Sequence, residues 1–142
     1  MRALALTLAL FAFPVMAAND EEAARITTDF CANASSTVDY NACSMSELQQ
    51  ADADMQNAFG AVLEKWKDTP ETVIALRDAQ IQWESFQRAA VTARFAALDA
   101  AIERGEYVGS AYTAEHNWYE ARLARTRTAL LCDFLRGPAY GE

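Results

Sequence analysis

Three cysteines, one histidine and twenty carboxylates are the side chains in this 142-residue chain from which chemistry could be built. Cys31 and Cys43 lie close together in sequence, while Cys132 stands alone near the other end. In an oxidising compartment such a pair is expected to join, and the short loop it closes contributes about 2–3 kcal/mol by the chain-entropy model. Metal binding is the rival reading, but neither cysteine has a histidine nearby and there is no second cysteine pair. Cys132 sits among Leu130, Leu131, Phe134 and Leu135, a setting for a buried, inert thiol, with an intermolecular disulfide as the alternative. His116 has no nucleophile motif beside it and no second histidine at ligand spacing, so it reads as a surface or helix-flanking residue. Met45 and Met55 with His116 are the residue types of a copper site, but the surface reading of His116 is preferred. Asp52 and Asp54 point to different sides of a helix and so share no acid–base site. With no catalytic triad, no phosphate-cradling glycine loop and no dinucleotide fingerprint, the expectation is a protein that is not an enzyme and carries no cofactor or metal.

The elements that position these residues follow from hydrophobic period. Ser44-Met45-Ser46-Glu47 has the form of a capping box, a hydroxyl followed three residues later by a carboxylate, and is expected to open the first helix. Leu48, Ala51, Met55, Ala58, Phe59, Val62, Leu63 and Trp66 then recur in steps of three and four as one stripe. Thr69-Pro70-Glu71 suits a second start, with a capping hydroxyl, a proline in the first turn and an acid at the positive helix end. From there Val73, Leu76, Gln80, Trp83, Phe86, Ala90, Ala97 and Ala101 keep the helical period. Ile81, Val91, Phe95, Leu98 and Ile102 widen the face, and Gly105 offers a left-handed stop. A third helix is expected over about 111–136, ended by Gly137-Pro138. Residues 21–30 suit a short helix in a less regular N-terminal stretch. The predicted fold is all-α: an extended antiparallel three-helix arrangement with an N-terminal disulfide-pinned arm. Five glycines and three prolines argue against a turn-rich β fold.

The beginning of the chain carries an address. Met1-Arg2, an apolar run over residues 3–13 broken only by Thr7, then Pro14 and the small-residue site at Ala17 read as a secretory signal over residues 1–17. The apolar run is too short to span a bilayer, and no cysteine follows it directly to carry a lipid. The remainder, 18–142, is expected to form one domain in the periplasm or outside the cell. The net charge of the whole chain is −8, which disfavours nucleic acid and anionic membrane surfaces. The excess is uneven: between residues 18 and 64 nine acids stand against one base, Arg25. Solubility is one explanation. An acidic face for a basic partner is the other.

Several segments resemble a known family. Cys31, then Asp39-Tyr40-Asn41-Ala42-Cys43, then the stretch from Gln50-Ala51-Asp52 to Asn57-Ala58-Phe59 looks like the opening of the LprI-type lysozyme inhibitors. Leu76-Arg77-Asp78-Ala79-Gln80-Ile81-Gln82-Trp83, continuing through Phe86 to Arg88, is similar to the family's second signature. Gly109-Ser110, followed by Thr126, Arg127 and Leu131, resembles its close. The resemblance spans about 31–131. Many members carry a second cysteine pair between the later helices; here Val91 and the Trp118-Tyr119 region take those places, so helix docking is expected to rest more on packing.

For the motif residues the expected roles are structural. Gln80 and Trp83 share a face, where the indole N–H and the amide can meet inside a core. Asp52 and Asn57 are suited to bonds with neighbouring helices or backbone. The resemblance implies a secreted or periplasmic protein that binds and blocks a lysozyme-like muramidase, with no membrane attachment after signal removal. A non-inhibitory periplasmic adaptor for another envelope protein is the alternative. The family signature assigns no contact residues. The acidic first third and the turn over 106–112 are the places to look first.

Overall fold

A computed structural model describes residue 31 and residues 33–137. The expected secretory signal and the short helix over 21–30 lie outside the described residues. Among the described residues the fold consists of three helices: α1 (Thr37–Lys65), α2 (Pro70–Glu103) and α3 (Tyr112–Arg136). At 1.5 Å per residue, the 34 residues of α2 make a rod of about 51 Å.

α1 begins eight residues earlier than the Ser44 motif suggests. Ser36 is its cap, with Oγ accepting from the Asp39 N–H at 3.1 Å. The Asp39 carboxylate in turn accepts from Ser35 Oγ at 3.1 Å. These hydroxyls, Ser36 first, hold the Asp39 carboxyl below its ordinary pKa, at the helix end where negative charge is favoured. Ser44 and Glu47 have the spacing of a capping box but do different work. Ser44 precedes Ala51 by seven residues and Glu47 precedes it by four, so both continue the buried stripe backwards and lie at 0% and 2% exposure. Cys43 is likewise inside α1 and not ahead of it. The Cys31–Cys43 disulfide, with Cα atoms 5.8 Å apart, pins the chain before α1 to the helix's second turn.

α1 ends at the Trp66 cap, and a tight turn closed by the Thr69 N–H to Trp66 carbonyl bond (2.9 Å) leads into Pro70 at the first turn of α2. Thr69 is the N-cap residue, although its hydroxyl makes no capping bond. α2 stops where Gly105 was expected to stop it. Gly105 has φ +77, its N–H donates to Ile102 O at 2.8 Å, and the Glu106 N–H donates to Ala101 O at 2.9 Å. These are the two bonds of a Schellman cap, and the left-handed backbone they need is the reason for a glycine.

Consecutive helices run antiparallel, so α1 and α3 run parallel. Cross-links from Ser44 to Asn117, from Glu47 to Arg125 and from Lys65 to the Leu135 carbonyl advance together along both helices. This pair holds most of the core. Ala51, Met55, Ala58 and Val62 of α1 pack with Ala121, Ala124 and Leu131 of α3 and with Leu76 from the start of α2. Leu48, Phe59, Leu63, Trp66, Trp83 and Leu135 close its margins. α2 meets α3 through larger side chains, and Ile74, Ile81 and Phe86 along it remain exposed.

Candidate protein-binding surface

The buried polar side chains tie helix to helix. Asn117 Nδ2 donates to Ser44 Oγ at 3.1 Å, and Ser44 Oγ donates to the Asn41 carbonyl at 2.9 Å. Glu47, almost fully enclosed, accepts from Arg125 Nε at 2.9 Å and also from its Nη2. A buried carboxylate persists only with such a partner, because desolvation would otherwise neutralise it. On the α2 side, Arg127 Nε donates to Gln80 Oε1 at 3.1 Å, and Gln80 Nε2 donates to Glu84 Oε1 at 3.3 Å. Gln80 thus relays between the cation of α3 and the carboxylate of α2. Burial pulls the Arg127 guanidinium below its ordinary pKa, and its Nη2 has no hydrogen-bond partner among the described residues.

The remaining sequence-selected residues fall as follows. Trp83 is half-buried beside the core cluster, one turn from Gln80. Asp52 is half-buried on α1, and burial raises its carboxyl pKa. Asn57 is exposed on α1. His116 lies over the Phe95 ring, with centroids 4.8 Å apart, and its Nδ1 is 3.6 Å from Glu120. Met55 belongs to the core while Met45 is exposed. Cys132 is a free, half-buried thiol. Among the described residues no group of three His, Cys, Asp or Glu side chains is placed to hold a metal ion.

Val91 and Tyr119 contribute packing. Val91 is buried on α2, and one turn on Phe95 meets Tyr112 and Tyr119 edge-on at 5.8 and 6.0 Å. Arg94 and Arg122 lie over Tyr119 at 5.7 and 5.3 Å. Trp118 meets Tyr40 edge-on at 4.6 Å, fastening α3 to the first turn of α1.

Sequence reading missed the partners Asn117, Arg125 and Asp99. Ser44 and Glu47 carried a usable sign, since they fall in register with the apolar stripe. Asp99 carried none: its partner is Tyr112, whose hydroxyl donates to Asp99 Oδ1 at 2.5 Å across the α2–α3 turn. That bond, burial and the Asp99 charge together raise the Tyr112 pKa.

The outer surface carries the remaining acids of α1 and a projecting turn. Of α1's acids, Glu47 is paired with Arg125 inside, whereas Asp39, Asp52, Asp54 and Glu64 face outward to differing degrees. At one end of the molecule the segment between α2 and α3 carries Tyr107, 84% exposed. No helix among the described residues is long and apolar enough to cross a membrane.

These features define a disulfide-pinned helical scaffold in which the Ser44–Asn117, Glu47–Arg125 and Gln80–Arg127 pairs join one helix to another. Residues 31–131 match the family model described as lysozyme inhibitor LprI, and the chain belongs to that family. No curated protein and no solved structure matches it.

Proposed function

We propose that this is an exported binding protein, acting in the periplasm or outside the cell, that occupies a lysozyme-like muramidase and blocks it without transforming anything itself. Membership of the lysozyme inhibitor family is the observation that carries the reading. The physical features agree with it. The net charge of −8 favours encounter with a basic enzyme, and the rate of that encounter falls as salt rises. A helical body with a packed core presents its surface with little to order on binding, which lowers the entropic cost of association. The test is clearing of a cell-wall suspension by a panel of c-, g- and i-type lysozymes with and without the purified protein. Slower clearing of at least one enzyme, more pronounced at low salt, is expected. Unchanged clearing of all of them at large molar excess removes the proposal.

A second reading is favoured by Ile74, Ile81 and Phe86, which are exposed along α2. Apolar side chains left outside on a long helix suit an adaptor that holds another envelope protein. Retention of a partner other than a muramidase from a periplasmic extract, lost on changing these three residues to serine, supports that reading.

A further inference from the structure

The turn over 104–111 is held on both legs and bears an aromatic side chain at its tip. The leg leaving α2 is fixed by the Schellman bonds from Gly105 and Glu106, and the Arg104 Nε–Glu106 Oε1 ion pair at 2.6 Å braces it further. The leg entering α3 is fixed by the Tyr112–Asp99 hydrogen bond and by the edge-on contact of Tyr112 with Phe95. Gly109, with φ +95, lets the chain reverse between them. Tyr107 at 84% is the most exposed of the large apolar side chains among the described residues. A ring held out on a braced support loses little freedom when it is bound, the condition under which a tyrosine contributes most to an interface.

The end of the molecule that carries the ring also carries exposed acids. Glu106 is neutralised by Arg104, so the tip is an uncharged phenol. Exposed Glu103 ends α2 and exposed Glu115 lies in the first turn of α3. Because α1 runs parallel to α3, exposed Asp39 in the first turn of α1 belongs to the same end. A neutral aromatic point within an acidic collar complements one kind of partner surface: a sugar-binding cleft with a basic rim and carboxylates on its floor. An acidic probe would be repelled by the floor of a glycosidase cleft, where paired carboxylates do the chemistry. A phenol is not repelled, and the collar meets the rim.

We infer that this turn, with Tyr107 at its tip, is the element that enters the saccharide cleft of the muramidase. The inference rests on the inhibitor reading above and adds where contact is made. Tyr107→Ala is compared with the unchanged protein and with Ile81→Ala, a distant exposed position on α2, using full-length purified chains. Inhibition by Tyr107→Ala should weaken by at least about thirty-fold, the scale of an interface hot spot. Ile81→Ala should inhibit normally, Tyr107→Phe should restore most of the effect, and all melting temperatures should agree. Tri-N-acetylchitotriose, which fills the cleft, should compete with binding of the unchanged protein. If the unchanged protein inhibits and Tyr107→Ala inhibits equally, the turn is not the contact and the inhibitor reading survives. Binding indifferent to the trisaccharide removes the cleft placement in the same way. If the unchanged protein inhibits no lysozyme, both proposals fall together.

Discussion

Two seams hold the helices together, and they are built from opposite materials. Between α1 and α3 four of the buried contact residues are alanines, Ala51, Ala58, Ala121 and Ala124, all at or below 9% exposure, so the two backbones approach closely there. Between α2 and α3 the contacts are a phenylalanine, two tyrosines, a histidine and an arginine–glutamine pair, which set the axes further apart. The first seam pairs Ser44 with Asn117 and Glu47 with Arg125, while Asn41 Oδ1 of α1, Trp66 Nε1 at its end and Trp118 Nε1 of α3 are buried without a hydrogen-bond partner among the described residues. The second leaves one donor of Arg127 unpartnered. A close seam of alanines tolerates no added volume, whereas a seam of long side chains can shift rotamers to absorb change. α2 is therefore the helix expected to loosen first, and α1 with α3 the pair that must hold.

The strongest way to break the first seam is Arg125→Ala, which strands the Glu47 carboxylate inside. A loss of about 3–5 kcal/mol is expected, read as a drop in the urea midpoint or failure to fold. Replacing both partners together, Glu47→Leu with Arg125→Leu, should recover much of that loss if the stranded charge is its cause. Overpacking comes next: Ala124→Leu should cost about 1–3 kcal/mol. On the second seam Gln80→Ala should cost about 1–2 kcal/mol, because it removes the partner that Arg127 Nε has among the described residues. Hydrogen exchange should show the loss concentrated in α2, and a uniform loss across all three helices would contradict the distinction between the seams.

Away from both seams, Gly60 in α1 is exposed, with nothing within 4 Å of an added Cβ. Gly60→Ala should stabilise by about 0.5–1 kcal/mol through the unfolded chain and leave both seams unchanged. The smallest effect is electrostatic. The Asp52 pKa is raised by burial, so ionisation disfavours the folded state above the ordinary carboxylate range, and stability is regained as pH falls through the folded pKa. Asp52→Asn should therefore raise the melting temperature slightly at about pH 7 and lose that advantage at about pH 3. Equal gains at both values would point to a cause other than charge.

Much of the fold was legible because hydrophobic period and helix punctuation are local properties. The stripe from Leu48 to Trp66, the Pro70 start and the Gly105 stop each follow from residues within a few turns of one another. The beginning of α1 was misread for an equally local reason. A hydroxyl and a carboxylate three residues apart fit a cap, and they fit a buried face just as well when they fall in step with Ala51. Only the presence of Asn117 and Arg125 on a distant segment separates the two. The outer positions of α2 were ambiguous in the same manner: Ile81, Phe86, Leu98 and Ile102 extend an apolar face in sequence, yet they are exposed because no helix among the described residues covers them.

The sequence by itself determined three helices, the turns between them and a cysteine pair able to pin the chain, since these depend on backbone preference and short-range spacing. The tertiary structure alone decided that α1 lies against α3, that Gln80 answers to Arg127, and that Tyr107 stands outside on a braced turn. The first two outcomes depend on which surfaces exclude water together, a property of segments some fifty to eighty residues apart that no local pattern encodes, and the third on the Tyr112–Asp99 bond across the turn.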